Sequence, residues 1–227
     1  MNKEMVKFRC SMVGILMTDP KLKADKEAGN LSEGAKTYIE SVFLENNYGY
    51  KDFFQTDETL KGILTESTSL KLVHEVLGGE FRFKNRDLFE NDYIKGTPDV
   101  ILSEIIEDIK SSFTIKTFFG SDITKQYEWQ LRAYMWLTGR KKARLIYCLN
   151  DTPSEILTKL KHRESYKYSE TDFLDVCNQI DKNHTYSHIP AKDRVKVFEI
   201  EHSDEKIELL KAKIIKAREY YSQLKLV

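Results

Sequence analysis

Residues 96–112 read GTPDVILSEIIEDIKSS, and three of their side chains could act together. Asp99 and Asp108 flank an apolar run, and Lys110 follows two residues later. Ser103 and Glu104 read as a turn. A hairpin centred there pairs Leu102 with Ile105, Ile101 with Ile106, Val100 with Glu107 and Asp99 with Asp108, whether its loop has two residues or four. Side chains alternate faces along a strand, so Asp108 and Lys110 share one; directly opposed residues share a face too, which adds Asp99. Like charges opposed on a sheet repel. A divalent cation between them reverses the sign, because carboxylate oxygens suit Mg²⁺ or Mn²⁺. Lys110 would then stand where it could polarise a phosphate oxygen or orient an attacking water. Taken alone, the pattern is equally that of a solvated hairpin with accidental charges. Glu107 should point to the opposite face and ranks below Asp108.

Other elements must bring further groups to this hairpin. TDETLKGILTESTSLKLVHEVLGG (56–79) reads as one helix, capped near Thr56 and stopped by Gly78 and Gly79. Ile63, Leu70, Val73 and Leu77 form an apolar stripe at helical spacing, and Glu66 falls on it. A carboxylate on a core-facing stripe is costly unless it is paired or metal-bound, although a helix-edge position fits equally. Glu75 is the fallback carboxylate, off the stripe. SDITKQYEWQLRAYMWLTG (121–139) reads as a helix with a Ser/Asp start and a Gly stop. Gln130 and Tyr134, four apart, lie on one face of it, with Tyr127 and Leu131 near that face. They could orient a phosphate or the surroundings of the lysine, or serve packing alone.

The chain has 227 residues, the length of one compact domain (1–227). Its 36 Lys and Arg balance 36 Asp and Glu, so any nucleic-acid surface must be a local patch. Cys10, Cys148 and Cys177 are too few and too dispersed for a disulfide framework or a zinc site, and a reducing cytoplasm is the expected compartment. MNKEMVKFRC lacks an apolar core of signal-peptide length, and no apolar run suits a membrane span. KFRCSMVGILMTDP (7–20) reads as an extended entry, an N-cap at Ser11 and a short helix; KLKADKEAGN (21–30) as a polar loop; 31–49 as a helix. EFRFK (80–84) alternates like a strand, ARLIYCLN (143–150) is an apolar strand, 153–164 and 169–182 are helical, VKVFEIE (195–201) is a strand, and 204–227 is a long amphipathic helix. The pattern is mixed α/β with a central sheet.

Together these residues resemble the PD-(D/E)xK nuclease superfamily. Pro98-Asp99 matches its PD element, Asp108-Ile109-Lys110 the D-x-K form of the second, and Gln130-Leu131-Arg132-Ala133-Tyr134 the QxxxY helix motif. Glu66 would be the acidic residue on the helix before the sheet. Within the superfamily the chain is similar to viral lambda-type (YqaJ-like) alkaline exonucleases. In that group an Arg-x-Ser element helps bind a 5′-phosphate; here Arg9-Cys10-Ser11 precedes the first helix, and Thr97 matches a small hydroxyl residue.

The likeness covers roughly residues 7–150, with 151–227 left as a helical C-terminal extension. It implies a restriction-endonuclease-like core in which a central mixed sheet is flanked by helices. It also implies one or two Mg²⁺ (or Mn²⁺) ions held by Glu66, Asp99, Asp108 and the Ile109 carbonyl, with Lys110 orienting water and Gln130 and Tyr134 in support. The implied activity is hydrolysis of linear duplex DNA from a 5′ end, in phage-type recombination, by a ring-shaped trimer with an annealing protein as partner. An endonuclease of the same fold, restriction-like or Cas4-like, and a catalytically inert DNA-binding module are the rivals. Three dispersed cysteines speak against the Cas4-like reading.

Other features point elsewhere. His184 and His188 read as surface histidines. GRKKAR (139–144) and KLKADK (21–26) are basic runs that suit DNA phosphates or bare solvation equally. Trp129, Trp136, Tyr220 and Tyr221 read as packing residues. The stripe Ile207, Leu210, Ile214, Ala217, Tyr221 and Leu224 reads as core rather than interface.

Overall fold

The computed structural model describes residues 5–53 and 55–226; the C-terminal helix read to 227 ends at Gln223, with Leu224 already extended, and only its last residue lies outside the described residues. The chain enters on β1 (Phe8–Arg9), turns through a 3-10 stretch at Cys10–Met12 and forms α1 (Val13–Leu16). Ser11 lies inside that turn, exposed, and caps neither short helix. The expected loop 21–30 holds α2 (Lys23–Glu27). In α3 (Glu33–Tyr48) the Ser32 hydroxyl accepts from the Ala35 N–H, and Gly49 ends the helix at φ 68°.

Residues 56–79 form two helices instead of one: α4 (Asp57–Leu64) and α5 (Glu66–Leu77), broken at Thr65. Only half of the predicted apolar stripe is buried: Val73 is fully buried and Leu70 partly so, but its two ends are not. Ile63 is 60% exposed and Leu77 is exposed, whereas Lys61, Thr65, Ser69, Leu72 and Val73 are buried. Polar partners make this possible. The Thr65 hydroxyl bonds the Lys61 carbonyl and the Ser111 hydroxyl, and Asn150 donates to the Ser69 hydroxyl at 2.7 Å. EFRFK is not a strand: residues 81–88 have no regular secondary structure.

Two sheets follow. β2 (Phe89–Glu90) and β3 (Ile94–Gly96) join β1 in the order β1-β3-β2, with β1 parallel to β3. The larger sheet is built from β4 (Val100–Ile101), β5 (Ile105–Ser111), β6 (Lys142–Cys148) and β7 (Val195–Glu201), in that order. β5 and β6 are parallel and the outer pairs antiparallel, so the sheet is mixed. A short α6 (Ile115–Phe119), closed by a Thr114 capping box, was not foreseen. α7 (Lys125–Thr138) starts at a Thr124 cap, three residues later than the Ser/Asp signal suggests, and stops at Gly139 with φ 72°. α8 (Ser154–Glu164), α9 (Glu170–His184) and α10 (Asp204–Gln223) complete the chain.

Successive residues of β6 serve opposite layers. Leu145 packs in the main core with residues of α1, α3, α7 and α10, while Ile146 packs against Leu72 and Val73 of α5. The fold is thus α/β, a mixed sheet between helical layers, as the sequence pattern implies. Ile207, Leu210, Ile214 and Ala217 are buried in that main core, with Tyr221 and Leu224 packed at its edge, and β7 pairs with β6 along its full length. The last third of the chain is therefore built into the same sheet and core. Among the described residues no helix is long and apolar enough to cross a membrane.

Candidate active site

The hairpin has the expected register: Val100 faces Glu107 and Ile101 faces Ile106, and the Leu102 N–H donates to the Ile105 carbonyl at 2.9 Å. One step further, Asp99 Oδ2 accepts the Ile109 N–H at 2.9 Å, which carries Asp99 across to the Asp108 side. Asp108 is 2% exposed. Its Oδ1 accepts from Gln130 Nε2 at 3.0 Å, and the same amide nitrogen donates to the Tyr134 hydroxyl at 3.2 Å. Asp108 Oδ2 lies 2.7 Å from Lys110 Nζ but is buried without a well-directed hydrogen bond. Lys110 Nζ stands 4.9 Å from the centre of the Tyr127 ring. Asp99, Asp108, Lys110, Gln130 and Tyr134 are therefore brought together.

Glu66 arrives by a different route from the one its sequence position suggests. It opens α5 at the helix break, with its side chain 47% exposed, and faces the cleft instead of the core. Its Oε1 is 2.5 Å from Lys84 Nζ, which is also 2.8 Å from Asp99 Oδ1. Lys84 thus joins the two carboxylates. Glu75 is exposed and takes no part. Glu107 does turn to the opposite face, where it is fully buried in an ion pair with Arg82 (2.7 and 3.0 Å), with Arg144 at 3.5 Å.

Glu66, Lys84, Asp99, Lys110 and Tyr127 line a cleft of about 560 Å³, with Asp108 buried behind it. Its electrostatics favour positive charge. Burial, then the neighbouring Asp99 charge, raises the pKa of Asp108 against the pull of Lys110. Burial would lower Lys110, but its pairing with Asp108, reinforced by Asp99, raises it overall. Burial and then Asp108 push the Tyr134 hydroxyl up as well. All three groups hold their protons more tightly than usual. As the side chains stand, no three His, Cys, Asp or Glu groups among the described residues are placed to hold one metal ion. The donor chemistry nevertheless fits a hard cation: two carboxyls meet across the hairpin, one buried oxygen of Asp108 has only the poorly directed Lys110 ammonium beside it, and an ammonium already bridges Glu66 and Asp99.

A second group of residues gathers at the smaller sheet. Arg9 pairs with Lys95 in parallel register, and the next residues, Cys10 and Gly96, approach so closely that a Cβ on Gly96 would lie 2.8 Å from both Cys10 Cβ and Tyr134 Cε1. Ser11 lies in the 3-10 turn that follows Arg9, and the half-buried Thr97 follows directly on β3. Arg9 Nη2 is 2.6 Å from both carboxylate oxygens of Glu45, so its charge already has a partner.

No family model matches the chain, and no curated protein matches it. Solved structures do. A phage-related exonuclease from Haemophilus somnus 129PT is similar over 96% of this chain and 95% of its own, with a TM-score of 0.75 and 28% identity. The chain shares the fold of this exonuclease along nearly its whole length. An alkaline exonuclease (LHK-Exo) from Laribacter hongkongensis shares the fold at TM-score 0.63 and 14% identity, over 96% of this chain and 89% of that one. The same enzyme in complex with dAMP matches at TM-score 0.64 and 14% identity, over 97% and 90%. The likeness to the phage-related exonuclease supports a nuclease function, and the likeness to the alkaline exonuclease is one of fold.

Sequence reasoning missed Lys84 and Arg82. The signal was present: in EFRFK the charged residues Glu80, Arg82 and Lys84 alternate with Phe81 and Phe83. The phase is inverted relative to an ordinary strand, with the charges turned inward and the phenylalanines 72% and 77% exposed. His184 is a further correction. It is buried, with Nδ1 3.0 Å from the Thr152 hydroxyl, because the end of α9 packs back on residues 150–152; His188 is exposed as expected. In the run 139–144, Arg140 donates to the Leu102 carbonyl and Arg144 pairs with Glu199. The parallel register sets Lys142 beside Ile105 and Tyr147 beside Lys110, so the exposed Lys141 and Lys142 lie at the far end of the strands from Lys110.

Proposed function

We propose that the protein is a Mg²⁺-dependent (or Mn²⁺-dependent) exonuclease that hydrolyses linear duplex DNA, from 5′ to 3′, in a recombination system of phage type. The observation that carries this reading is the convergence of Asp99, Asp108 and Lys110 on one hairpin, with Glu66 facing them across the cleft. Glu66, Asp99, Asp108 and the Ile109 carbonyl are the groups that would hold the ion or ions. When bound there, Mg²⁺ or Mn²⁺ supplies polarisation of a phosphoryl oxygen and a lowered pKa for water.

The chain's own side chains then have distinct tasks. Lys110 donates from Nζ to the attacking water or to a phosphate oxygen, steadied by the Tyr127 ring beneath it. Gln130 fixes Asp108 Oδ1, and Tyr134 fixes Gln130, so the buried carboxylate keeps one orientation. Arg9, Ser11 and Thr97 form the 5′-phosphate subsite, where the phosphate would compete with Glu45 for the Arg9 guanidinium.

Linear duplex DNA carrying a 5′-phosphate or a 5′-hydroxyl, and circular duplex DNA, incubated with Mg²⁺, separate the readings. Loss of linear DNA alone, fastest with the 5′-phosphate, is the expected result. Cutting of circles would instead show an endonuclease, and binding without loss of DNA an inert module.

A further inference from the structure

We propose that Lys84 is a built-in counter-cation of the metal site, so that its ion pairs and a bound divalent ion exclude one another. The inference rests on the metal-dependent reading above. Its basis is one contact pattern. A single ammonium lies 2.5 Å from Glu66 Oε1 and 2.8 Å from Asp99 Oδ1, and so takes a carboxylate oxygen from each of the two elements that face each other across the cleft. Glu66 and Asp99 come from a helix and a hairpin with no other direct link between their side chains, and two carboxylates so placed repel unless a cation lies between them. Lys84 is that cation. The same contact accounts for the failure of Glu66, Asp99 and Asp108 to present a three-carboxylate cluster as they stand.

The lysine is delivered with some precision. Its segment is anchored two residues earlier by the buried Arg82–Glu107 pair. One residue later the Asn85 N–H donates to the Asp99 carbonyl at 2.8 Å, and the Asn85 side chain donates to the Pro98 carbonyl at 3.1 Å. The backbone of this segment is therefore tied to both sides of Asp99, while the Lys84 side chain is 30% exposed and free to swing outward into the cleft. A divalent ion entering between Glu66 and Asp99 must displace the ammonium. Once displaced, Lys84 remains tethered at the cleft mouth, where its charge faces the anionic substrate.

The test measures Mn²⁺ binding to the full chain without DNA, by calorimetry, together with the melting temperature of the metal-free protein. Lys84→Met keeps the length of the side chain and removes the charge; Lys84→Arg keeps the charge and serves as the second variant. The expected result for Lys84→Met is Mn²⁺ binding about tenfold tighter than wild type, since two partly exposed ion pairs no longer compete. Its metal-free melting temperature should fall by about 2–4 °C, with Lys84→Arg close to wild type in both. A lysine with a purely structural role would instead lower stability and leave Mn²⁺ affinity unchanged or weaker in Lys84→Met, which overturns the proposal while leaving the metal site standing. Absence of Mn²⁺ binding by both wild type and Lys84→Met overturns the proposal and the metal-dependent reading together.

Discussion

The hairpin β4–β5 and the segment 78–85 lie on either side of Asp99, and they carry charge inward by different means. In the hairpin the pleat does the work: Glu107 and Asp108, adjacent in sequence, reach opposite faces and find Arg82 on one side and Gln130 and Lys110 on the other. In segment 78–85 no ladder fixes the backbone. Its inward residues are held by ion pairs and by hydrogen bonds to carbonyls, with Arg82 also donating to the Gly78 carbonyl at 2.9 Å. A regular pairing specifies its side chains locally. A tether specifies them only when its distant partner is in place.

The most severe way to break this contrast is to remove the tether's anchor. Arg82→Ala leaves Glu107 fully buried with only Arg144 at 3.5 Å, and truncating one member of a buried pair costs about 3–5 kcal/mol. Urea denaturation should show that loss. The double variant Arg82→Met, Glu107→Met should recover most of it, because a well-packed apolar replacement leaves no buried charge behind. A loss below about 1 kcal/mol in the single variant would mean that the segment is held by its backbone contacts alone.

That contrast also explains what could be read from the sequence. The hairpin was legible down to its residue pairs, since one turn centre and a period of two leave a single register that joins Asp99 to Asp108. The order of the larger elements was legible for the same reason: β6, β7, α7 and α10 carry strong periodic patterns. Glu66 was found, but by the wrong argument. Hydrophobic periodicity selected Ile63, Leu70, Val73 and Leu77 as core, but only Val73 of these is fully buried, and Lys61, Thr65 and Ser69 share the buried face with Leu72 and Val73. Those polar groups are satisfied by Ser111, Phe113 and Asn150, residues more than 40 positions away, and no local pattern reveals such partners. Lys84 was missed on the same principle, since its role depends on Glu66 and Asp99 being folded against it.

On the hairpin side, the corresponding break is Lys110→Ala. The ladder pairing of Lys110 with Tyr147 uses its backbone and not its side chain, so the fold should persist in the alanine variant while cleavage falls about 10²–10³-fold, the usual cost of removing one group that stabilises developing charge. Mn²⁺ binding should be largely retained, because Lys110 is not among the proposed ligands. Gel-based cleavage assays and calorimetry on the same preparation check both parts, and turnover like that of wild type would take Lys110 out of the chemistry.

The gentlest probe uses the other buried cation, which, unlike Arg82, has no carboxylate at hydrogen-bond distance. Lys61 is fully buried on α4, donates to the Phe113 carbonyl at 2.9 Å, and lies over the Phe113 and Tyr186 rings. Burial, only partly offset by the more distant Asp151, pulls its pKa from 10.5 to about 8. Between those two values the unfolded chain binds a proton that the folded chain has released, so stability rises with pH across that window. At 1.36 kcal/mol for each pH unit, the full rise approaches about 3 kcal/mol. Lys84 and Lys110, whose pairings raise them above 10.5, act with the opposite sign and outside that window: their contribution is full below 10.5 and is lost as pH rises from there through their folded values. Denaturation of wild type and Lys61→Met at intervals from pH 7 to pH 11 isolates the effect, since the slope of the difference is independent of whatever packing or hydrogen bonding the methionine alters. Curves that run parallel through this range would show that Lys61 keeps an ordinary pKa, and that the polar face of α4 shelters its charge as effectively as Glu107 shelters Arg82.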